Sequence, residues 1–170
     1  MSIVRFIADP HLSHLNMALK RGFEDAEEHD EHFITWWNSV VSKRDTTYIL
    51  GDVTMEKSAP YHLLDRLNGI KHVVMGNHER RQDVRKLLEH VDSVSGMVSY
   101  KGLILTHCPV HPRELEDRYH KNIHGHIHEE QVMLDVWKEI PDNRYICVSC
   151  ERVDFTPKTL EELGIKRSPR

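Results

Sequence analysis

Short apolar runs alternate with amphipathic stretches over the first hundred residues of the chain. Uninterrupted apolar runs of this length are typical of buried strands, and they predict strands at 3–9 (IVRFIAD), 46–52 (TTYILGD) and 72–79 (HVVMGNHE). Apolar residues at helical spacing between and after these runs predict helices at 27–42, 58–69 and 79–91. Such alternation indicates βαβ units and therefore a largely parallel sheet.

Two of these helices also begin with capping residues. Asp25 followed by Glu28 resembles a capping box, in which each side chain accepts a backbone N–H at the helix start. Ser58 is placed to cap the helix at 58–69, and Gly69 is placed to end it.

Hairpin-like strands replace the alternation in the second half of the chain. Strands are predicted at 94–100, 102–107, 122–128, 132–136 and 144–149. The segment 108–121 is predicted to be a loop, and the cap, proline and glycine of TPKTLEELG predict a short final helix at 156–164. We therefore predict one α/β domain over residues 1–170, built from layered mixed β-sheets flanked by helices.

Composition limits the classes of function. No apolar run approaches the roughly 20 residues that cross a bilayer, and the first residues lack the apolar core of a signal peptide, so we expect a cytoplasmic protein with no membrane partner. The formal net charge of −4 argues against a duplex nucleic-acid partner but leaves a small nucleotide substrate open. Cys147 and Cys150 would point to opposite faces of a strand, which favours an incidental pair.

The segment NIHGHIH carries three histidines in five positions at 124–128. It is internal, unlike a purification tag, although a tract that binds metal nonspecifically is an alternative. If the segment ends a strand, His126 and His128 point to the same face and can both reach a metal. We expect His124 to be packed, with a role in supporting the ligands as the alternative.

Polar residues follow five of the predicted strands. Each alone has an ordinary explanation as a helix cap or a turn residue. In α/β sheets, however, ligands bind at the carboxyl ends of strands, and a preceding glycine allows close approach of the chain. The strand-end residues are Asp9 and His11, Asp52 after Gly51, Asn77 and His78 after Gly76, His107, and His126 and His128 after Gly125.

This ordered set resembles the calcineurin-like metallophosphoesterase superfamily, and ADPHLSHLNM, YILGDV, RLNGIKHVVMGNHE and VDFTPKTLEEL resemble its small single-domain branch. The resemblance implies a dimetal site at the carboxyl ends of strands, with Asp52 bridging and His78 catalytic. Pro10 departs from the usual small hydroxyl residue, and no second acid follows Asp52. The implied ligands of one metal are Asp9, His11, Asp52 and His128, and those of the other are Asp52, Asn77, His107 and His126.

The resemblance also implies hydrolysis of phosphate esters. Two divalent transition-metal ions would lower the pKa of bound water from about 15.7 toward 7, so that hydroxide attacks the phosphate. Mixed imidazole and oxygen ligands favour manganese, with iron, nickel, cobalt or zinc as alternatives. Residues for substrate binding would be His14, Asn16, Arg80 and Arg81, for which a polar loop and a solvated helix face are the ordinary explanations.

The segments between the motifs are short, which predicts an open site. With both metals bound, the site would carry a net charge of about +1, which suits the single negative charge of a phosphodiester. We therefore expect a phosphodiesterase for small or nucleotide-like substrates. A phosphomonoesterase or a protein phosphatase of the same fold is an alternative, as is a nuclease, which would predict a basic face. A non-catalytic metal-binding scaffold is a further alternative, although the catalytic position retains His78. Physiological substrate, native metals and assembly into a homo-oligomer stay open.

Overall fold

Four of the five strands of the first sheet are parallel to one another. The computed structural model describes residues 2–55 and 57–165. The order in this sheet is β11-β1-β2-β3-β4, and β11 at the edge runs antiparallel to β1. Because β1, β2 and β3 are parallel, their carboxyl ends lie at one edge. The strands are β1 (Val4–Ile7), β2 (Thr46–Leu50), β3 (Ile70–Val74), β4 (Ser93–Ser95) and β11 (Lys158–Thr159).

A second sheet has the order β10-β7-β6-β5, in which only β5 is antiparallel to its neighbour. Its strands are β5 (Val98–Tyr100), β6 (Leu103–Leu105), β7 (Lys121–His124) and β10 (Tyr145–Cys147). A separate hairpin pairs β8 (Met133–Asp135) with β9 (Ile140–Pro141). A parallel bridge between Ala8 and Ser149 connects the ends of β1 and β10, and so joins the two sheets at their carboxyl edge.

Apolar side chains from both sheets share one core. Tyr100 of the second sheet contacts Phe6 and Tyr48 of the first, with ring centroids 5.7 Å apart in each case. The helix α2 (Ala26–Val40) contributes buried Phe33 and Trp37 to the same core. Burial at about 25 cal/mol per Å² of apolar surface is the main stabilising contribution to this arrangement.

In the part of the chain that the structure describes, three α-helices accompany the sheets: α1 (Leu15–Lys20), α2 and α3 (Val84–Leu87). The predicted mixed α/β fold, with several sheets flanked by helices, is confirmed. The carboxylate of Asp25 caps α2 by accepting the N–H of Glu28, as expected. The other half of the predicted capping box is wrong, because Glu28 accepts the N–H of Glu24 instead of that of Asp25. In the described ranges, no helix combines the length and the apolar character that crossing a membrane requires.

Two predicted helices are much shorter than expected. In place of the helix at 58–69 there is a 3-10 helix, Tyr61–Arg66, which Ser58 does not cap. Pro60 disfavours helical backbone at Ala59, which has a φ of 47°, so the helix starts later. In place of the helix at 79–91 there are a 3-10 turn, Arg81–Asp83, and the single turn of α3.

Four other parts of the chain also differ from the prediction. The predicted strand 94–100 is divided at Gly96, because β4 pairs in the first sheet and β5 in the second. The predicted helix at 156–164 is β11 followed by turns, since pairing with β1 satisfies its backbone groups. The helix α1 was not predicted; the imidazole of His14 caps it by accepting the N–H of Met17. Within the predicted loop 108–121, Pro112–Leu115 forms a 3-10 turn.

Candidate metal centre

Side chains from the ends of β1, β2, β6 and β7 converge at the carboxyl edge of the two sheets. Three groups of potential ligands overlap there, and within each group one ligand atom per residue lies within 4.8 Å of the others. Asp9 belongs to two groups and His107 to two, so the groups form a continuous chain. The groups are His11, His128 and Asp9; Asp9, Asp52 and His107; and His107, Cys108 and His126.

The imidazole of His11 is the most informative member of the centre. His11 is 2% exposed, and neither of its ring nitrogens has a hydrogen-bond partner among the described residues. Burial lowers the pKa of His11 to about 3, so its ring is neutral and presents a lone pair. A buried polar group without a partner costs about 1–3 kcal/mol, and a bound cation would remove that cost at the nitrogen that carries the lone pair. His11 therefore fits the role of a metal ligand.

Asp9 is fully buried between the two sheets. Its Oδ2 accepts hydrogen bonds from the Ser149 hydroxyl at 2.6 Å and from the backbone N–H of His126 at 2.9 Å. Burial raises the pKa of Asp9 above its usual range, although these hydrogen bonds and the nearby histidines oppose the shift. A cation beside it would stabilise the ionised carboxylate.

His107 connects the buried and the exposed parts of the centre. Its Nδ1–H donates to the Leu50 carbonyl at 2.8 Å, so the lone pair of a neutral ring is on Nε2. That Nε2 lies 2.8 Å from the Asn77 side-chain oxygen and 3.3 Å from Asp52 Oδ2. A lone pair facing two oxygens is favourable only with a cation between them, whether a proton or a metal.

The charges of Asp52 and His107 are coupled. Burial favours the neutral form of each, but their mutual hydrogen bond and charge lower the pKa of Asp52 and raise that of His107. Asp52 Oδ1 also accepts the backbone N–H of His78 at 3.0 Å. The His78 side chain is about a third exposed, and its Nε2 lies 3.8 Å from Asp52 Oδ2. His78 is thus beside the ligand groups without belonging to one.

His128 is oriented by an ionic network. Its Nδ1–H donates to Glu151 at 3.1 Å, which leaves Nε2 for a metal. Burial would raise the pKa of Glu151, but His128 and Arg21 together lower it to about 2. The guanidinium of Arg21 donates to Glu151 and to the backbone carbonyls of Asp9 and Pro10, each at 2.8–2.9 Å. Arg21 thereby fixes the position of the segment that carries the first two ligands.

The backbone at the centre adopts conformations that most residues avoid. Left-handed φ angles at non-glycine residues cost energy and persist where the surrounding structure imposes them, often at functional sites. Five predicted ligands have such angles, with φ between 50° and 72°: Asp9, His11, Asp52, His126 and His128. The expectation that His126 and His128 share one face of a strand was therefore wrong, because β7 ends at His124.

Glycines allow the ligand segments to approach one another. A Cβ on Gly51 would lie 2.5 Å from His107 Nδ1, and one on Gly125 would collide with the Asp9 carboxylate. Glu79 holds two of the segments together, because its buried carboxylate accepts the N–H groups of Asp52, Val53 and Gly76. Because of these hydrogen bonds, Glu79 lies at the metal centre and does not begin the helix that was predicted at 79–91.

The four candidates for substrate binding lie at different distances from the ligand groups and have different surroundings. The His14 ring is 6.4 Å from that of His11, while Asn16 is exposed on α1. The guanidinium of Arg80 is paired with Asp83 and the Lys57 carbonyl, which leaves little capacity for substrate. Arg81 lines a surface cavity of about 430 Å³ with Gln82 and Arg85. None of the four is in the ligand groups.

Several residues at the centre were not predicted from the sequence. Arg21, Ser149 and Glu151 have no distinctive local pattern, since their partners are distant in the chain. Cys108 directly follows the predicted ligand His107, and that position is the signal that could have found it. His124 is buried as expected, and its Nδ1–H donates to the Gly125 carbonyl. A cavity of about 760 Å³ includes Ile3 and Val4 at the start of β1 and so lies at the opposite edge from the centre.

Fold and site together define a mixed α/β protein with histidine and aspartate groups that can hold metal ions. The chain belongs to the family of the uncharacterized protein MJ1445 of Methanocaldococcus jannaschii, to which it is 30% identical over 95% of its length and 89% of the relative's. It is 29% identical to the gene 66 protein of Mycobacterium phage L5, over 78% of this chain and 81% of that protein. No model of a known protein family matches it.

A solved structure has the same fold. The protein of unknown function AQ665 from Aquifex aeolicus superposes with a TM-score of 0.69, over 96% of this chain and 98% of that one. At 24% sequence identity, this similarity concerns the fold alone.

Proposed function

We propose that the protein is a metallophosphoesterase with two metal ions, and that it hydrolyses phosphodiesters of small or nucleotide-like substrates. The observation that carries the proposal is the overlapping chain of ligand groups, with His78 beside it. The resemblance of the ordered motifs to calcineurin-like metallophosphoesterases supports the same function.

The residues present fit two divalent ions. Asp9, His11 and His128 would hold one, while His107, Asn77 and His126 would hold the other, with Asp52 between them. When bound, the ions would supply Lewis-acid polarisation of the phosphate and a more acidic water nucleophile. Imidazole together with carboxylate and amide oxygens suits manganese, iron, cobalt, nickel or zinc.

His78 would act on the substrate directly. Its ring is partly exposed, while its backbone N–H is held by Asp52, so the imidazole is available at the surface of the centre. There it can stabilise charge on a phosphoryl oxygen or donate a proton to the leaving group. Cys108 and His126 are exposed at the same end of the centre, which favours an open site that admits a diester.

We expect a preference for diesters. The value of kcat/KM should be higher for bis(p-nitrophenyl) phosphate than for p-nitrophenyl phosphate, with Mn²⁺ at neutral pH, because the open centre offers few cations to neutralise a monoester dianion. Steady-state kinetics on both substrates measures the ratio. A clear preference for the monoester would contradict the diester assignment while leaving the metallophosphoesterase proposal in place.

We also expect up to two equivalents of metal per chain after mild purification and reconstitution. Asp52→Asn should lower the content at both sites, since Asp52 is the proposed bridge and the amide carries no charge. Asp117→Asn is the matched control, because Asp117 is exposed and outside the ligand groups. Elemental analysis measures the content, and a reconstituted protein without metal would rule out the proposal.

A further inference from the structure

We propose that Cys108 supplies a thiolate ligand to the metal held by His107 and His126, so that this end of the centre favours thiophilic ions such as Zn²⁺ over Mn²⁺. The inference rests on the proposed metal centre, but it does not require that the protein hydrolyse phosphate esters.

The geometry brings a sulfur atom and two imidazoles together. Ligand atoms of His107, Cys108 and His126 lie within 4.8 Å of one another. The rings of His107 and His126 are 5.0 Å apart and inclined at 70°. The backbone of Cys108 is anchored, because its carbonyl accepts the hydroxyl of Thr106 at 2.7 Å. Cysteine thiolate and histidine imidazole are both usual ligands of zinc.

Cys108 differs from the other two cysteines in its surroundings. The thiol of Cys147 contacts the His128 carbonyl, and that of Cys150 contacts the Ala8 carbonyl, each at 3.3 Å. The Cys108 side chain is exposed, and among the described residues it makes no hydrogen bond. Its sulfur is therefore free to coordinate an ion at the exposed end of the centre.

Two different sets of donors surround His107. The oxygens of Asn77 and Asp52 lie 2.8 and 3.3 Å from His107 Nε2, and Cys108 and His126 share a second ligand group with His107. Oxygen ligands suit Mn²⁺, whereas thiolate and imidazole suit Zn²⁺ and Co²⁺. The group around His11 contains no sulfur, so the two ends of the centre should differ in metal preference.

Cobalt provides a direct test, because coordination of Co²⁺ by thiolate produces a charge-transfer absorption band in the near ultraviolet. Protein with its bound metal removed is reconstituted with Co²⁺, and bound cobalt is counted. We expect the band in the wild type and in Cys147→Ser, and its loss in Cys108→Ser. The Cys147 variant is the matched control, since its thiol is also near the centre but is already engaged.

The outcomes separate the two proposals. Bound cobalt without the band, or an equal band in Cys108→Ser, would overturn the role of Cys108 and leave the metal centre intact. Loss of the band in the Cys147 variant alone would identify Cys147 as the thiolate ligand and overturn the role of Cys108. Failure to bind any cobalt would overturn both.

Metal selectivity gives a second measurement. In competition titrations, Cys108→Ser should weaken Zn²⁺ binding by more than about 10-fold. Removing a residue that only hydrogen-bonds to a metal ligand already lowers affinity by about 10–100-fold, and Cys108 is proposed to be a ligand itself. Binding of Mn²⁺ should change much less, because it depends on the oxygen ligands. Equal weakening for both ions would contradict the proposed preference.

Discussion

Replacing His78 with alanine is expected to lower kcat for phosphate-ester hydrolysis by about 10²–10⁴-fold while leaving the metal content unchanged. The reason is that the imidazole is beside the ligand groups but belongs to none of them. Its backbone N–H, which the substitution retains, makes the contact with Asp52. Steady-state kinetics and elemental analysis of the same preparation measure the two quantities.

His62→Ala is a suitable control for this experiment, because His62 is exposed on the 3-10 helix Tyr61–Arg66. It should retain both activity and metal. If His78→Ala loses metal in parallel with activity, His78 is a ligand and the proposed catalytic role is wrong.

Replacing Arg21 with alanine should lower the free energy of unfolding by about 3–5 kcal/mol, since it removes the guanidinium partner of the buried Glu151 carboxylate, which keeps only the imidazole of His128. Arg21 is 2% exposed and pairs with Glu151, which is 13% exposed. The carbonyls of Asp9 and Pro10 lose their donors at the same time. Denaturant unfolding in the presence of a chelator measures the effect without any contribution from bound metal.

Two controls make this prediction specific. Arg66→Ala breaks an ion pair with Glu31 in which both side chains are about half exposed, so it should have a much smaller effect. The double variant Arg21→Met, Glu151→Gln removes both charges and should recover part of the lost stability. Equal losses for the Arg21 and Arg66 single variants would show that burial of the pair does not matter.

The inner strands of the first sheet were predictable from local pattern. The predicted strands at 3–9, 46–52 and 72–79 correspond to β1, β2 and β3, with ends displaced by at most five residues. Exposing their apolar runs to water would be costly. Each run therefore forms a buried strand, whichever strands it pairs with.

The short helices were predicted less well, because tertiary contacts overrode local signals. The amphipathic pattern from residue 79 favours a helix, yet the Glu79 carboxylate binds three backbone N–H groups of the centre. The capping signals at Thr156 and Pro157 favour a helix too, yet β11 pairs with the open edge of β1. A few hydrogen bonds to distant segments exceed the weak preference of so short a helix.

The residues that support the centre could not be predicted from the sequence. Arg21 meets Glu151 across 130 residues of chain, and Ser149 meets Asp9 across 140. An arginine, a glutamate or a serine has no local pattern that reveals such a partner.

The sequence by itself determined which chemical groups follow each strand, and hence that most of them meet at one edge, because parallel strands bring their carboxyl ends together. Only the tertiary structure decided how those groups are presented. The left-handed backbone at Asp9 and His128 and the position of Cys108 beside His126 depend on it, as do the His11 ring nitrogens, which have no hydrogen-bond partner among residues 2–55 and 57–165. These features arise from packing and hydrogen bonds between segments far apart in the chain, which a local pattern does not contain.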